Sequence, residues 1–259
     1  MDRMRIVVKV GSNVLTRADG TPDITMISAI VDQLAALYDR GHDVILVTSG
    51  AVACGRRLLR HVGPIDDVGQ RQLFSAMGQV RLINYYFNLF RDHGVPIGQV
   101  LTMKESFSTP RQYQNQKSCM EVMLKNRVIP IVNENDTVCI TELMFTDNDE
   151  LSGLVAQMMQ ADLLIILTSV DGIYDGDPRS GGSHVLTRIL PEDDLSRCIT
   201  PDKSSAGRGG MQSKCATARA VAASGIRVAV ANGRREGIIL EIVDSPEAVI
   251  HTEFVPVLQ

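Results

Sequence analysis

A chain of 259 residues with 44% hydrophobic content can bury a sizeable core, as one large α/β domain or two small ones. A net charge of −4 at pH 7 with no evident basic face argues against nucleic acid as the main partner, and no apolar run approaches a membrane span. The five cysteines form no C-x-x-C and read as reduced, mostly packed thiols of a cytoplasmic protein, and the five histidines lack metal-ligand spacing. Ile6-Val7-Val8-Lys9-Val10 predicts a buried strand closed by Gly11-Ser12-Asn13, with no signal segment before it. A helix over 24–40 carries an apolar stripe and stops at Gly41. Residues 43–48 form a second strand, ending in Ser49-Gly50-Ala51. Helical stretches continue past Gly63-Pro64 to about Asp92, followed by a strand over 95–101, a helix over 111–125 and a strand over 128–132.

The chain then passes through Asn133-Glu134-Asn135-Asp136, a short strand-rich segment from Val138 to Phe145, and a helix from Asp147-Asn148-Asp149 through Gln160. Leu163–Leu167 is the most apolar strand and is expected at the centre of a sheet. Short strands alternate with a helix over 211–224, and the chain ends in strands at Val228–Ala231 and Ile238–Val243. Strands alternating with helices predict a largely parallel sheet covered on both faces. Without a Pro- or Ser-rich linker or an internal repeat, a single domain over 1–259 is expected.

Lys9 is the first chemical anomaly, a lysine within a run of Ile and Val. An unpaired buried ammonium is costly, so Lys9 must meet an anion, either a structural carboxylate or a phosphate at the carboxyl edge of the sheet. Other strands also end in small or polar residues suited to ligands: Thr48-Ser49-Gly50, Asn133–Asp136 and Thr168-Ser169. Each such end is by itself an ordinary turn or helix cap. A glycine-rich stretch, Gly207 to Lys214, precedes a helical run from Cys215 to Ser224. Backbone N–H groups at a helix start favour an anion, and Lys214 adds a mobile charge. The spacing is neither that of a P-loop nor G-x-G-x-x-G.

Together the segments Val8-Lys9-Val10-Gly11-Ser12, Thr48-Ser49-Gly50-Ala51, Asn133–Asp136, Asp147-Asn148-Asp149 and Gly209–Lys214 resemble the glutamate 5-kinases of the amino-acid kinase family, in the same order. Tyr174-Asp175-Gly176-Asp177-Pro178 also resembles that family's nucleotide-side loop. The resemblance implies an α/β fold, a three-layer αβα sandwich on a mainly parallel open sheet of about eight strands. It further implies ATP-dependent phosphorylation of the L-glutamate side chain, the first step of proline biosynthesis, with Mg²⁺. Lys9 and Lys214 would contact the ATP phosphates, and Asp149 would hold both lysines. Ser49, Asp136 and Asn148 match the glutamate-binding positions, with Asn133 a further candidate. Thr168, Ser169, Arg208, Gly209, Gly210, Met211, Gln212, Ser213 and Lys214 match the ATP-binding segments.

Two positions depart from the pattern: Ser169 stands where relatives often carry Asp, and Arg208 where many carry Thr. Many bacterial members of the family the segments resemble carry a carboxy-terminal PUA domain, and with the sequence ending at Gln259 a short form without it is expected. By the same resemblance, proline would be a feedback inhibitor. The enzyme would be a homo-oligomer and would hand its product to glutamate-5-semialdehyde dehydrogenase. Rival readings are a kinase for another small carboxylate or carbamate, and a non-catalytic amino-acid or nucleotide sensor. The two Asn-Asp segments favour a free amino acid over an acetylated one, because an acetylated amine offers no positive charge to Asp136.

Overall fold

In the computed structural model, the residues described are all except 1, 57, 60–62, 140–146, 178–181, 196–197, 199–209 and 258–259. The strands are β1 (Arg5–Val10), β2 (Asp43–Val47), β3 (Ile97–Thr102), β4 (Ile129–Glu134), β5 (Leu163–Thr168), β6 (Arg188–Ile189), β7 (Arg227–Asn232) and β8 (Thr252–Phe254). The helices are α1 (Ser12–Leu15), α2 (Ile24–Asp39), α3 (Ala51–Arg56), α4 (Asp67–Asp92), α5 (Glu105–Ser108), α6 (Pro110–Lys125), α7 (Asn148–Met158), α8 (Met211–Ala223) and α9 (Ile238–Asp244). All eight strands join one sheet in the order β3-β4-β2-β1-β5-β7-β8-β6. Every pairing is parallel except that of β7 with β8. The expected mainly parallel sheet is therefore present. β5, its most apolar strand, lies in the middle between β1 and β7.

Strand alternation builds the layers. Ile6, Val8, Val10, Val44, Leu46, Ile165 and Leu167 pack on one face with α2, α4 and α9. Val7, Ile45, Val47, Leu164, Ile166, Val228 and Val230 pack on the other with α7 and α8. Strands buried on both faces read as continuous apolar runs, which is why the sequence shows no alternation there. The helix starts follow local chemistry: the side chains of Asp23 and Asp66 accept from Met26 N (3.3 Å) and Gly69 N (2.7 Å), and Pro110 opens α6.

One expected strand is a helix. The run Ile238–Val243 forms α9, with Ile238, Ile239 and Ile242 buried and Leu240 and Val243 partly buried. An apolar run this short fits either period, so periodicity does not separate strand from helix. The neighbourhood decides: Ile239 N donates to the side chain of Gln33 on α2 at 2.8 Å, satisfying an N–H that the first turn of a helix leaves open. The run supplies a lid for α2 where a strand would have needed another sheet edge. The expected strand-rich segment over 138–145 falls largely outside the described residues, and Val138 itself lies in a turn. The short strands β6 and β8 carry too few residues to give a period of their own.

Helices α3 and α4 meet backbone to backbone. A Cβ at Gly78 would lie 1.8 Å from the Ala51 carbonyl oxygen, and one at Gly55 would lie 1.8 Å from that of Phe74. Buried Tyr86, also on α4, holds Thr48 Oγ1 at 2.8 Å and so braces the end of β2. Gly78→Ala must push the two helices apart, and overpacking of this kind costs about 1–3 kcal/mol. The expected result is a lower urea midpoint with an unchanged slope. A midpoint equal to that of the unsubstituted protein would show that the helices separate freely.

Candidate active site

The site forms at the carboxyl ends of the central strands. Val7 faces α7 and α8, so strand alternation turns Lys9 to the same side, where it is buried opposite Val47 and Ile166. The next turn begins at Gly11, where a Cβ would stand 3.4 Å from Lys9 Nζ, so the glycine leaves the ammonium approachable.

Helix α7 starts with Asp147 as its cap, whose side chain accepts from Asp149 N (2.8 Å) and Glu150 N (3.0 Å). Because Asp147 takes that task, Asn148 and Asp149 project their side chains elsewhere. Asp149, wholly buried at 0% exposure, receives Lys9 Nζ on Oδ1 and Lys214 Nζ on Oδ2, the latter at 3.0 Å. Lys214 reaches it because α8 lies close to α7: a Cβ at Gly153 would be 2.7 Å from Thr217 Cγ2.

This triad carries two ammoniums and one carboxylate. Burial pushes the Asp149 carboxyl upward, but the charges and hydrogen bonds of Lys9 and Lys214 outweigh it and hold the group below the usual carboxylate range. Burial pulls the Lys9 ammonium below its ordinary value, an effect Asp149 opposes and Lys214 reinforces. Two lysines thus meet one fully buried carboxylate, with Asp147 a further acid acting on Lys9, and basic groups gathered at one point suit an anionic ligand. The first turn of α8 adds N–H groups to the same region, since its cap residue Gly210 offers no side-chain bond.

A second polar cluster adjoins the first through Asn148. Its Nδ2 lies 2.9 Å from Thr48 O, 2.7 Å from Ser49 Oγ and 3.2 Å from Asn133 Oδ1. Ser49 sits beside Gly50, whose φ of 98° turns the chain from β2 into α3. Asn133 in turn donates to Gln79 Oε1 of α4 at 3.1 Å.

Asp136 belongs to a third group. Its Oδ1 accepts from Arg71 Nε (3.1 Å) and from Arg71 Nη2, which also reaches Glu134 Oε2 at 3.1 Å. Burial raises the Asp136 carboxyl above its ordinary pKa, and Arg71 opposes the shift. A cavity of about 330 Å³ opens beside this group, bordered by Gln79, Glu134, Asp136 and the apolar Val80, Ile83 and Leu101.

The structure thus brings Lys9, Lys214 and Asp149 into contact, and Ser49, Asn148 and Asn133 into a neighbouring cluster. Thr168 ends β5 opposite Asn232, with its carbonyl receiving Gly233 N at 2.8 Å, and Ser169 follows in the bend. Met211, Gln212 and Ser213 form the first turn of α8, and Met211 also packs on the core. Arg208 and Gly209 lie outside the described residues. Sequence reasoning missed Arg71 and Gln79. Both sit on a long helix that also carries Arg81 and Arg91, and nothing in residue type or spacing separates them from solvated helix residues.

A model of the amino acid kinase family matches residues 4–232, from β1 to the end of β7 and so across all three clusters. The chain belongs to the amino acid kinase family. Within it, the chain is 57% identical over 97% of its length to the glutamate 5-kinase of Bacteroides thetaiotaomicron, covering 70% of that protein. It is 46% identical over 94% of its length to the glutamate 5-kinase of Chlorobaculum tepidum, covering 67%. The fold matches the UMP kinase of Ureaplasma parvum with a TM-score of 0.67 at 16% identity, over 98% of this chain and 100% of that one. At that identity the likeness concerns the amino acid kinase fold alone.

Proposed function

We infer that this chain transfers the γ-phosphoryl group of MgATP to the side-chain carboxylate of L-glutamate, giving L-glutamyl 5-phosphate in the first step of proline biosynthesis. The observation that carries the reading is the buried triad in which Lys9 and Lys214 share the Asp149 carboxylate beside the start of α8.

The nucleophile is already ionised at neutral pH, since a glutamate carboxyl has a reference pKa of about 4.3. No general base is needed. A carboxylate oxygen forms the new bond to the γ-phosphorus as the bond to the bridging oxygen breaks, and ADP leaves with the electron pair. The barrier is mutual repulsion of anions, which positive charges fixed at the transferring group offset. Lys9 and Lys214 supply those charges, and Asp149 holds them in place without cancelling both. N–H groups of the first turn of α8 and Ser213 line the polyphosphate, and Thr168 and Ser169 lie on the nucleotide side. Mg²⁺ enters with the nucleotide as part of that substrate, held by phosphate oxygens and water. Ser49 and Asn148 hydrogen-bond carboxylate oxygens of glutamate, and Asp136 receives its α-ammonium.

Further features accompany this reading. Proline shares the α-carboxylate and cationic nitrogen of glutamate, so feedback inhibition acts at or overlapping the same pocket. Exposed Val80 and Phe87 on α4, beside the edge strand β3, suit a homo-oligomer. An acyl phosphate is prone to hydrolysis, which favours hand-over to a glutamate-5-semialdehyde dehydrogenase. All five cysteines are free and four are buried, as fits a reducing cytoplasm. Among the described residues, no helix is long and apolar enough to cross a membrane.

The expected result is ADP release that requires both L-glutamate and Mg²⁺, with hydroxylamine trapping a hydroxamate from the acyl phosphate. Equal release with N-acetylglutamate, or none with glutamate, would overturn the assignment.

A further inference from the structure

Arg71 is partly buried, with its side chain 19% exposed, and spans two carboxylates that are more deeply buried still. The arginine projects from the first turns of α4, whereas both acids come from the end of β4 and the turn after it, so the contact exists only in the folded chain. An arginine beside an aspartate presents opposite charges a few ångströms apart. The α-carbon of a free amino acid carries a matching pair, a carboxylate and an ammonium.

The order of the polar groups along the site adds direction. Asn148 follows the cap Asp147 and directly precedes Asp149, so the cluster of Asn148 and Ser49 adjoins the phosphoryl-transfer triad. Asn133 touches Asn148 and is followed in the chain by Glu134 and, after Asn135, Asp136, and both acids border the 330 Å³ cavity. A substrate lying along this row places its reacting carboxylate at Ser49 and Asn148 and its α-carbon at Asp136.

We propose that Arg71 is the binding group for the substrate's α-carboxylate, forming with Asp136 a two-charge clamp that selects free α-amino acids. The proposal rests on the reading of the site as one for glutamate and deepens it. When the substrate enters, its ammonium takes Asp136, which loosens the hold of Asp136 on Arg71 and turns the guanidinium to the carboxylate. A guanidinium presents planar, paired donors that fit a carboxylate, which a lysine ammonium does not.

The test uses glutamate, 4-aminobutyrate (glutamate without its α-carboxylate) and glutarate (glutamate without its amine), with kcat and KM measured for each. Hydrogen bonds to charged groups are worth about 1.5–3 kcal/mol, so Arg71→Met raises the glutamate KM on the order of 10- to 100-fold. Its kcat at saturation and its KM for ATP stay near the unsubstituted values. The rate with 4-aminobutyrate hardly moves, so the preference for glutamate over 4-aminobutyrate collapses. Asp136→Asn instead collapses the preference for glutamate over glutarate. Should circular dichroism show Arg71→Met unfolded, Arg71→Lys carries the test, since it keeps the charge that offsets the two acids. Its glutamate-to-4-aminobutyrate ratio falls while its glutamate-to-glutarate ratio holds.

Equal losses on all three substrates would make Arg71 a structural counterion and overturn the clamp, as would unaltered ratios. An unsubstituted enzyme inactive on glutamate overturns the parent reading and the clamp with it. An active enzyme with unaltered ratios in the Arg71 variants overturns the clamp alone.

Discussion

Lys9→Ala and Lys214→Ala each lower turnover about 10²–10³-fold, the usual loss when one preorganised charge-stabilising contact is removed. The glutamate KM changes little, because neither lysine contacts the clusters around Asn148 and Asp136 among the described hydrogen bonds. Both variants stay folded, since each leaves Asp149 paired with the remaining ammonium. Steady-state kinetics with glutamate and ATP both saturating check the prediction, with an unfolding curve as control. Turnover within a few-fold of the unsubstituted enzyme for both variants would make these lysines structural. The two losses should also not add, because in the proposed mechanism both lysines act on one transferring group, and they share one carboxylate.

Asp149→Asn has the larger effect on the fold. It removes the only charge partner that either lysine shows among the described salt bridges and leaves two buried ammoniums facing a neutral amide. Breaking a buried ion pair by deleting one partner costs about 3–5 kcal/mol, because the remaining charge has neither water nor a counterion. A loss of that size is a large part of the stability of an ordinary domain.

The pH dependence has a definite sign. The Asp149 pKa is depressed in the folded state, so its contribution is present above the unfolded carboxylate value and is lost as pH falls through the folded value. The gap in urea midpoint between the unsubstituted protein and Asp149→Asn is therefore widest near neutral pH and closes in acid. A gap that stays constant below the ordinary carboxylate range would mean that Asp149 stabilises by shape alone. Turnover of the variant also falls, since the lysines lose the group that fixes their positions.

Much of the site was legible because its residues break local rules. Lys9 interrupts a run that otherwise buries Ile and Val, and a buried ammonium demands an anion, so its oddity shows without coordinates. Asp147-Asn148-Asp149 reads as a helix start, yet only Asp147 caps the helix. Which of the three would cap and which would turn inward depended on the lysines waiting on β1 and α8. Arg71 carried no such signal. An arginine in the first turns of a polar helix face is ordinary, and its two acids lie more than sixty positions away in the chain.

By itself the sequence determined the alternation of strands and helices, the parallel sheet they imply, and the residues out of place in it. Those are consequences of local period, turn chemistry and the cost of burying charge, all written in neighbouring residues. Tertiary structure decided what neighbours in the chain cannot. It made Ile238–Val243 a helix, because α2 offered a face and a Gln33 side chain to receive it. It joined Lys9, Asp149 and Lys214, residues from three distant elements, through strand alternation and the close approach of α7 and α8 at Gly153. It also set Arg71 against Asp136. Such pairings depend on which faces meet, and the free energy of a buried charge is fixed only when its partner arrives from elsewhere in the fold.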